Sequence, residues 1–187
     1  MAKVTSPLFS FKATGQLAKT LVYSSWKAIK DVRSWAKPSN PNTAAQQQQR
    51  GFFSQAVTFW HTYGFSPADL TAWNLSASVS SKIQSGFNNF VQLVVNALRG
   101  GNSFENISNI TSVPAGANQT ATAASSNPAA GFCNYGTNKT ALNQTVGIVG
   151  ATATMTGLVS GATYYYRFVS SDAGDAAQSG IYTFIAP

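Results

Sequence analysis

The chain has 187 residues, 44% of them hydrophobic and 12% aromatic, which is enough apolar material for a packed core and too much for a disordered segment. Charged residues make up only 9%, and they are unevenly placed: residues 1–103 carry ten of the twelve Lys/Arg with two acids (a formal +8), and 104–187 carry two cations with three acids (−1). One histidine, one cysteine and five scattered acids leave no metal-ligand spacing and no clustered acid–base machinery, so the chain reads as non-enzymatic and without a cofactor.

The start, Met1-Ala2-Lys3-Val4-Thr5-Ser6-Pro7, has no sustained apolar stretch, and no apolar run is long enough for a bilayer. The expectation is assembly in a cytoplasm with no membrane partner. Residues 8–37 read as extended structure. Leu21-Val22-Tyr23-Ser24-Ser25-Trp26 and Ile29-Lys30-Asp31-Val32-Arg33-Ser34-Trp35 form a hairpin or two edge strands, with Trp26 and Trp35 as large anchors. Lys19, Lys27, Lys30, Arg33 and Lys37 then make either a solvated, edge-protecting face or a docking surface.

Pro38-Ser39-Asn40-Pro41-Asn42-Thr43 is a turn, after which Asn42 or Thr43 caps a helix running through Arg50 to about Tyr63 and stopping at Gly64. His61, inside Phe59-Trp60-His61-Thr62-Tyr63, is expected to pack among these rings. Ser66-Pro67-Ala68-Asp69 places Ser at the N-cap, Pro at N1 and an acid at N3, starting a helix that carries Leu70, Trp73 and Leu75 to about Val79. An amphipathic stretch over 87–98 ends at Arg99-Gly100-Gly101, and the glycine pair is expected to open a linker.

Beyond it, short alternating runs predict strands at 107–113, 120–124, 131–135, 145–149, 152–158, 164–170 and 181–185, the pattern of a small β-sandwich. Cys133 should be a small buried apolar residue there. Leu158-Val159-Ser160-Gly161-Ala162-Thr163-Tyr164-Tyr165-Tyr166-Arg167-Phe168 resembles the E–F corner and F strand of fibronectin type III domains. Phe132-x-x-Tyr135-Gly136-Thr137 resembles their strand C, and Ile181-Tyr182-Thr183-Phe184 their G strand. That resemblance implies that Tyr164 is the corner tyrosine and that Tyr166 and Phe168 fill the core. It departs from the family at strand B, where Thr120-Ala121-Thr122-Ala123 stands in place of the usual Trp.

The N-terminal part resembles a family of small uncharacterised bacteriophage and prophage structural proteins. The matches are Trp26-Lys27, Val32-Arg33, Pro38, Asn40-Pro41, Thr43, Gln46, Arg50 and Ala72-Trp73-Asn74, with Ala28 where that family has glycine. The expected fold class is α+β: a basic hairpin-plus-helices docking module over 1–101, then a fibronectin type III-like (immunoglobulin-like) sandwich over 102–187. The resemblance implies a virion structural protein, foremost a capsid decoration or minor capsid protein present in many copies. It would bind the major capsid protein through Lys19, Trp26, Lys27, Lys30, Arg33, Trp35, Lys37 and Arg50 and project the sandwich outward. Trp60 and Trp73 are two further candidate anchors. The alternatives are a tail, neck or baseplate component, and a glycan-binding or adhesion module using Tyr164, Tyr165, Tyr166 and Tyr182. No nucleic-acid fold signature accompanies the cations, so nucleic acid is not the expected partner.

Overall fold

A computed structural model describes residues 15–26, 29–37, 40, 42–126 and 130–187. The chain falls into two compact units, Met1–Asn42 and Thr43–Pro187. In the first, β1 (Gly15–Leu17), β2 (Leu21–Trp26) and β3 (Ile29–Ser34) form an antiparallel sheet in the order β1-β2-β3. A hairpin of β2 and β3 is therefore present, and β1 adds a third strand that its brief apolar content did not announce. The turn between β1 and β2 holds Ala18 and Lys19 at φ 46° and 55°. Positive φ of this kind matches the right-handed strand twist, here without the usual Asn or Gly.

The second unit starts with three helices whose caps are local. In α1 (Ala44–Thr62), the Thr43 hydroxyl accepts the Gln46 amide, and the chain leaves the helix through Gly64 at φ 66°. In α2 (Pro67–Val79), Ser66 and Asp69 form a reciprocal capping box with Pro67 at the first turn. In α3 (Gly86–Arg99), Ser85 caps the N-terminus and the Gly100 amide bonds the Asn96 carbonyl. Gly100-Gly101 does not open a linker. The Asn102 amide returns to Ala97, and Ser103 pairs at once with the 174–176 segment: its amide bonds the Gly174 carbonyl at 2.7 Å and its carbonyl accepts the Ala176 amide at 3.0 Å.

Seven strands follow: β4 (Ile107–Ala115), β5 (Asn118–Ser126), β6 (Gly131–Gly136), β7 (Gln144–Gly147), β8 (Thr152–Met155), β9 (Thr163–Ser170) and β10 (Tyr182–Ile185). They make two antiparallel sheets, β4-β5-β8 and β10-β9-β6-β7. The fold is mixed α+β. Period-two alternation buries Ala121 and Ala123 of β5, Ala153 and Met155 of β8, and Tyr164, Tyr166 and Phe168 of β9. These residues share one core with Ala56, Trp73, Phe90 and Val94 from the helices. The helices therefore do not join the basic hairpin in a module ending at residue 101; they complete the core of the strands that follow.

Helix α2 explains why. Its Ala72 carbonyl accepts the Ile181 amide at the edge of β10, and its Asp69 side chain accepts the Asn109 amide at the edge of β4. One helix thus satisfies edge groups of both sheets, which would otherwise be open to pairing with other chains. The approach is close enough to require glycine. A Cβ added to Gly180 would lie 2.6 Å from the Ala72 carbonyl carbon, and one on Gly86 would lie 2.7 Å from the Asn74 amide nitrogen.

Candidate docking surface

In the first unit, register sets Gln16 beside Val22 and Val22 beside Arg33, giving a row across the sheet. Gln16, Val22 and Arg33, with Trp35, line a depression of about 380 Å³. The Trp35 amide bonds the Thr20 carbonyl at 2.8 Å, which draws the segment after β3 back beside the turn carrying Lys19. Lys19, Arg33 and Lys37 are exposed and Trp35 is half-buried, so the structure gathers four of the expected docking residues at one end of the sheet. Trp26 pairs with Ile29 and Lys30 with Ser25 toward the other end, about 17 Å along a six-residue strand. Lys27 lies outside the described residues. Arg50 is exposed on α1 and belongs to the second unit.

Several aromatic residues have other duties. Trp73 is 1% exposed, and Trp60 packs against Phe65, Phe87 and Phe90. Both belong to the ring cluster around Phe90 and are not surface anchors. His61, expected within that cluster, is exposed instead because its helix turns Phe59 and Trp60 inward. Leu70 is 40% exposed for the same reason, its neighbours Asp69, Ala72 and Trp73 occupying the inner face. Tyr164, Tyr166 and Tyr182 are buried, which leaves Tyr165 as the one partly exposed member of the four proposed sugar-stacking rings. Tyr164 instead accepts the Val159 amide at its hydroxyl, 3.2 Å away.

The Ala72-Trp73-Asn74 segment has structural work at each position. Ala72 bonds Ile181, Trp73 packs at 5.1 Å from Phe90, and the Asn74 side chain accepts the Gly86 amide at 2.9 Å. The residue that sequence reasoning missed is Asp69, which is fully buried. Its carboxylate accepts the Ser66 amide and hydroxyl, both at 2.7 Å, the Asn109 amide at 3.0 Å and the Tyr182 hydroxyl. The first two donors were legible as a capping box. The others arrive from β4 and β10, far along the chain.

Burial raises the Tyr182 phenol, and its bond to Asp69 adds to that effect. Burial likewise pushes the Cys133 thiol up to about 12, leaving it protonated and chemically quiet at neutral pH. Among the described residues no three His, Cys, Asp or Glu side chains cluster as metal ligands, and no helix is long and apolar enough to cross a membrane. No family model, curated protein or solved structure matches this chain.

Proposed function

We propose that this chain is a non-enzymatic structural protein of a bacteriophage virion, a capsid decoration protein that attaches through its basic N-terminal unit. The observation that carries this reading is how charge follows the division of the fold. Unit 1–42 holds seven of the twelve Lys/Arg and the single acid Asp31, whereas 43–187 holds five cations and four acids. A small, strongly basic unit beside a nearly neutral one suits steering onto an acidic lattice, with the larger unit carried on the particle.

The larger unit is read as a fibronectin type III-like sandwich closed by helices. Support comes from its three- and four-stranded sheets with shared core, from the non-sequential order β4-β5-β8 and β10-β9-β6-β7, and from the Tyr164–Val159 corner bond. The test is gold-labelled antibody against this protein on purified particles. Label over the heads is expected. Label confined to tails would replace capsid decoration with a tail role, and particles without label would overturn the virion reading.

A further inference from the structure

The hollow at one end of the first-unit sheet combines an exposed cation with an apolar floor and wall. Its floor follows from register: Gln16 and Arg33 flank Val22 across three strands, so a half-buried aliphatic side chain sits between a carboxamide and a guanidinium. Trp35 follows Arg33 by two residues and lines the same hollow, and the bond from its amide to the Thr20 carbonyl holds it beside the β1–β2 turn. Gly15 and Ala36 complete the lining with little bulk, which leaves about 380 Å³, the scale of a small binding pocket.

Arg33 is exposed, so a carboxylate arriving from solvent reaches its guanidinium directly. It is the one charged residue among the described residues that line the hollow. Asp31 lies on the same sheet face one pair further along, opposite Ser24, and is not part of the lining. Lys19 and Lys37 are exposed at this end, and the unit as a whole has seven cations to one acid. That field attracts an acidic partner and repels a basic one. An arginine takes a carboxylate side-on through two N–H bonds, while Trp35 and Val22 offer contact to an aliphatic neighbour. Arginine and tryptophan together are also the usual composition of the spots that dominate protein interfaces. Nucleic acid is matched less well, because its affinity comes from neutralising a run of phosphates and the hollow offers one cation.

We propose that this hollow is the recognition pocket of the basic unit, taking an Asp or Glu side chain of a protein partner at Arg33 while an adjacent aliphatic residue of that partner rests on Trp35 and Val22. The inference rests on the reading of unit 1–42 as the attachment site and adds to it which residues select the partner.

The test uses the full chain and two synthetic probes with blocked ends: the pentapeptide Gly-Leu-Glu-Leu-Gly and its glutamine counterpart. Binding is followed by the Arg33 Nε–H and Trp35 indole N–H resonances. The glutamate peptide is expected to shift both signals, and the glutamine peptide to bind about tenfold more weakly or worse. Arg33→Gln should abolish the difference between the peptides, whereas Arg99→Gln, which removes an exposed cation from α3, should leave it intact. Trp35→Ala should weaken both peptides alike. Should Arg33→Gln unfold the sheet, Arg33→Lys keeps the charge without the two-bond geometry, and a several-fold loss for the glutamate peptide is expected there. Equal binding of the two peptides, or unchanged discrimination in a folded Arg33 variant, would overturn the proposal. So would a short single-stranded oligonucleotide that shifts the same two resonances at lower concentration than the glutamate peptide. Peptide failure with antibody label on the heads would remove the pocket and leave the virion reading standing; peptide binding with unlabelled particles would do the reverse.

Discussion

In β9, Tyr164 accepts the Val159 amide at its hydroxyl while Tyr165 stands on the outer face, so removing the same oxygen from each has different consequences. Tyr164→Phe should cost about 0.5–1.5 kcal/mol, the net worth of one hydrogen bond, and Tyr165→Phe much less, as read from paired urea melts. Asp69 is the larger case. Asp69→Ala strips the partner from Ser66, Asn109 and Tyr182 at a fully buried site, and about 3–5 kcal/mol should be lost. Tyr182→Phe removes only one of those donors and should fall between the two; a melt series ranking Tyr182→Phe above Asp69→Ala would contradict the hub role. The contrast also marks what sequence can convey about single residues. Tyr164's inward direction follows from alternation, and Asp69's capping of Ser66 follows from a spacing of three. Its burial does not, because Asn109 and Tyr182 are separated from it by 40 and 113 residues.

Two helix starts were legible as local chemistry, Thr43 and Ser66 capping as hydroxyl acceptors within the first turn; α3 was legible from its amphipathic stretch, and its Ser85 cap emerges only in the structure. Strands were legible from alternation, and each expected run from 107 onward overlaps an observed strand. The allegiance of the helices was hidden. Composition changes at Gly100-Gly101, yet the contacts that assign α1–α3 to the later strands are side-chain packing around Phe90 and backbone bonds such as Ile181 to Ala72, neither of which leaves a local pattern. The docking of α2 on β10 yields an element-scale prediction. Gly180→Ala forces a methyl into the Ala72–Trp73 backbone and should destabilise by about 1–3 kcal/mol, with faster hydrogen exchange at Ile181 and along α2. A still-protected Ile181 amide in that variant would show that the helix–strand contact tolerates the methyl and does not require glycine.

For the molecule as a whole, buried phenols set the response to alkali. Burial first, then the charges of Asp175 and Glu105, pushes Tyr63 up to about 12, and burial does the same for Tyr166. In an unfolded chain these groups ionise near 10 and the Cys133 thiol near 9. Their raised values mean that the folded state keeps protons the unfolded state has released. Stability is therefore full below about pH 9 and falls as pH rises toward 12. Tm should decline over that window together with the appearance of tyrosinate absorbance, and a flat Tm would contradict the burial. The proposed attachment, by contrast, should respond to salt. Exchanging Lys19, Arg33 and Lys37 together for alanine should weaken capsid co-sedimentation and flatten its salt dependence, while any one exchange should cost no more than about 1 kcal/mol. Unchanged sedimentation of the folded triple variant would make these cations a solvated face.

The bond from Asp69 to Tyr182 also sets a schedule for the ribosome. The two residues are 113 positions apart, and synthesis at about 5–20 residues per second separates them by roughly 6–23 s. During that time Asp69 has Ser66 and, once 40 further residues are made, the Asn109 amide as donors, while α2 faces a β10 edge that does not yet exist. A ribosome stalled anywhere before Tyr182 therefore releases a chain with an acid stranded in a half-built interior and a helix with one bare side, the kind of product that chaperones and proteases intercept.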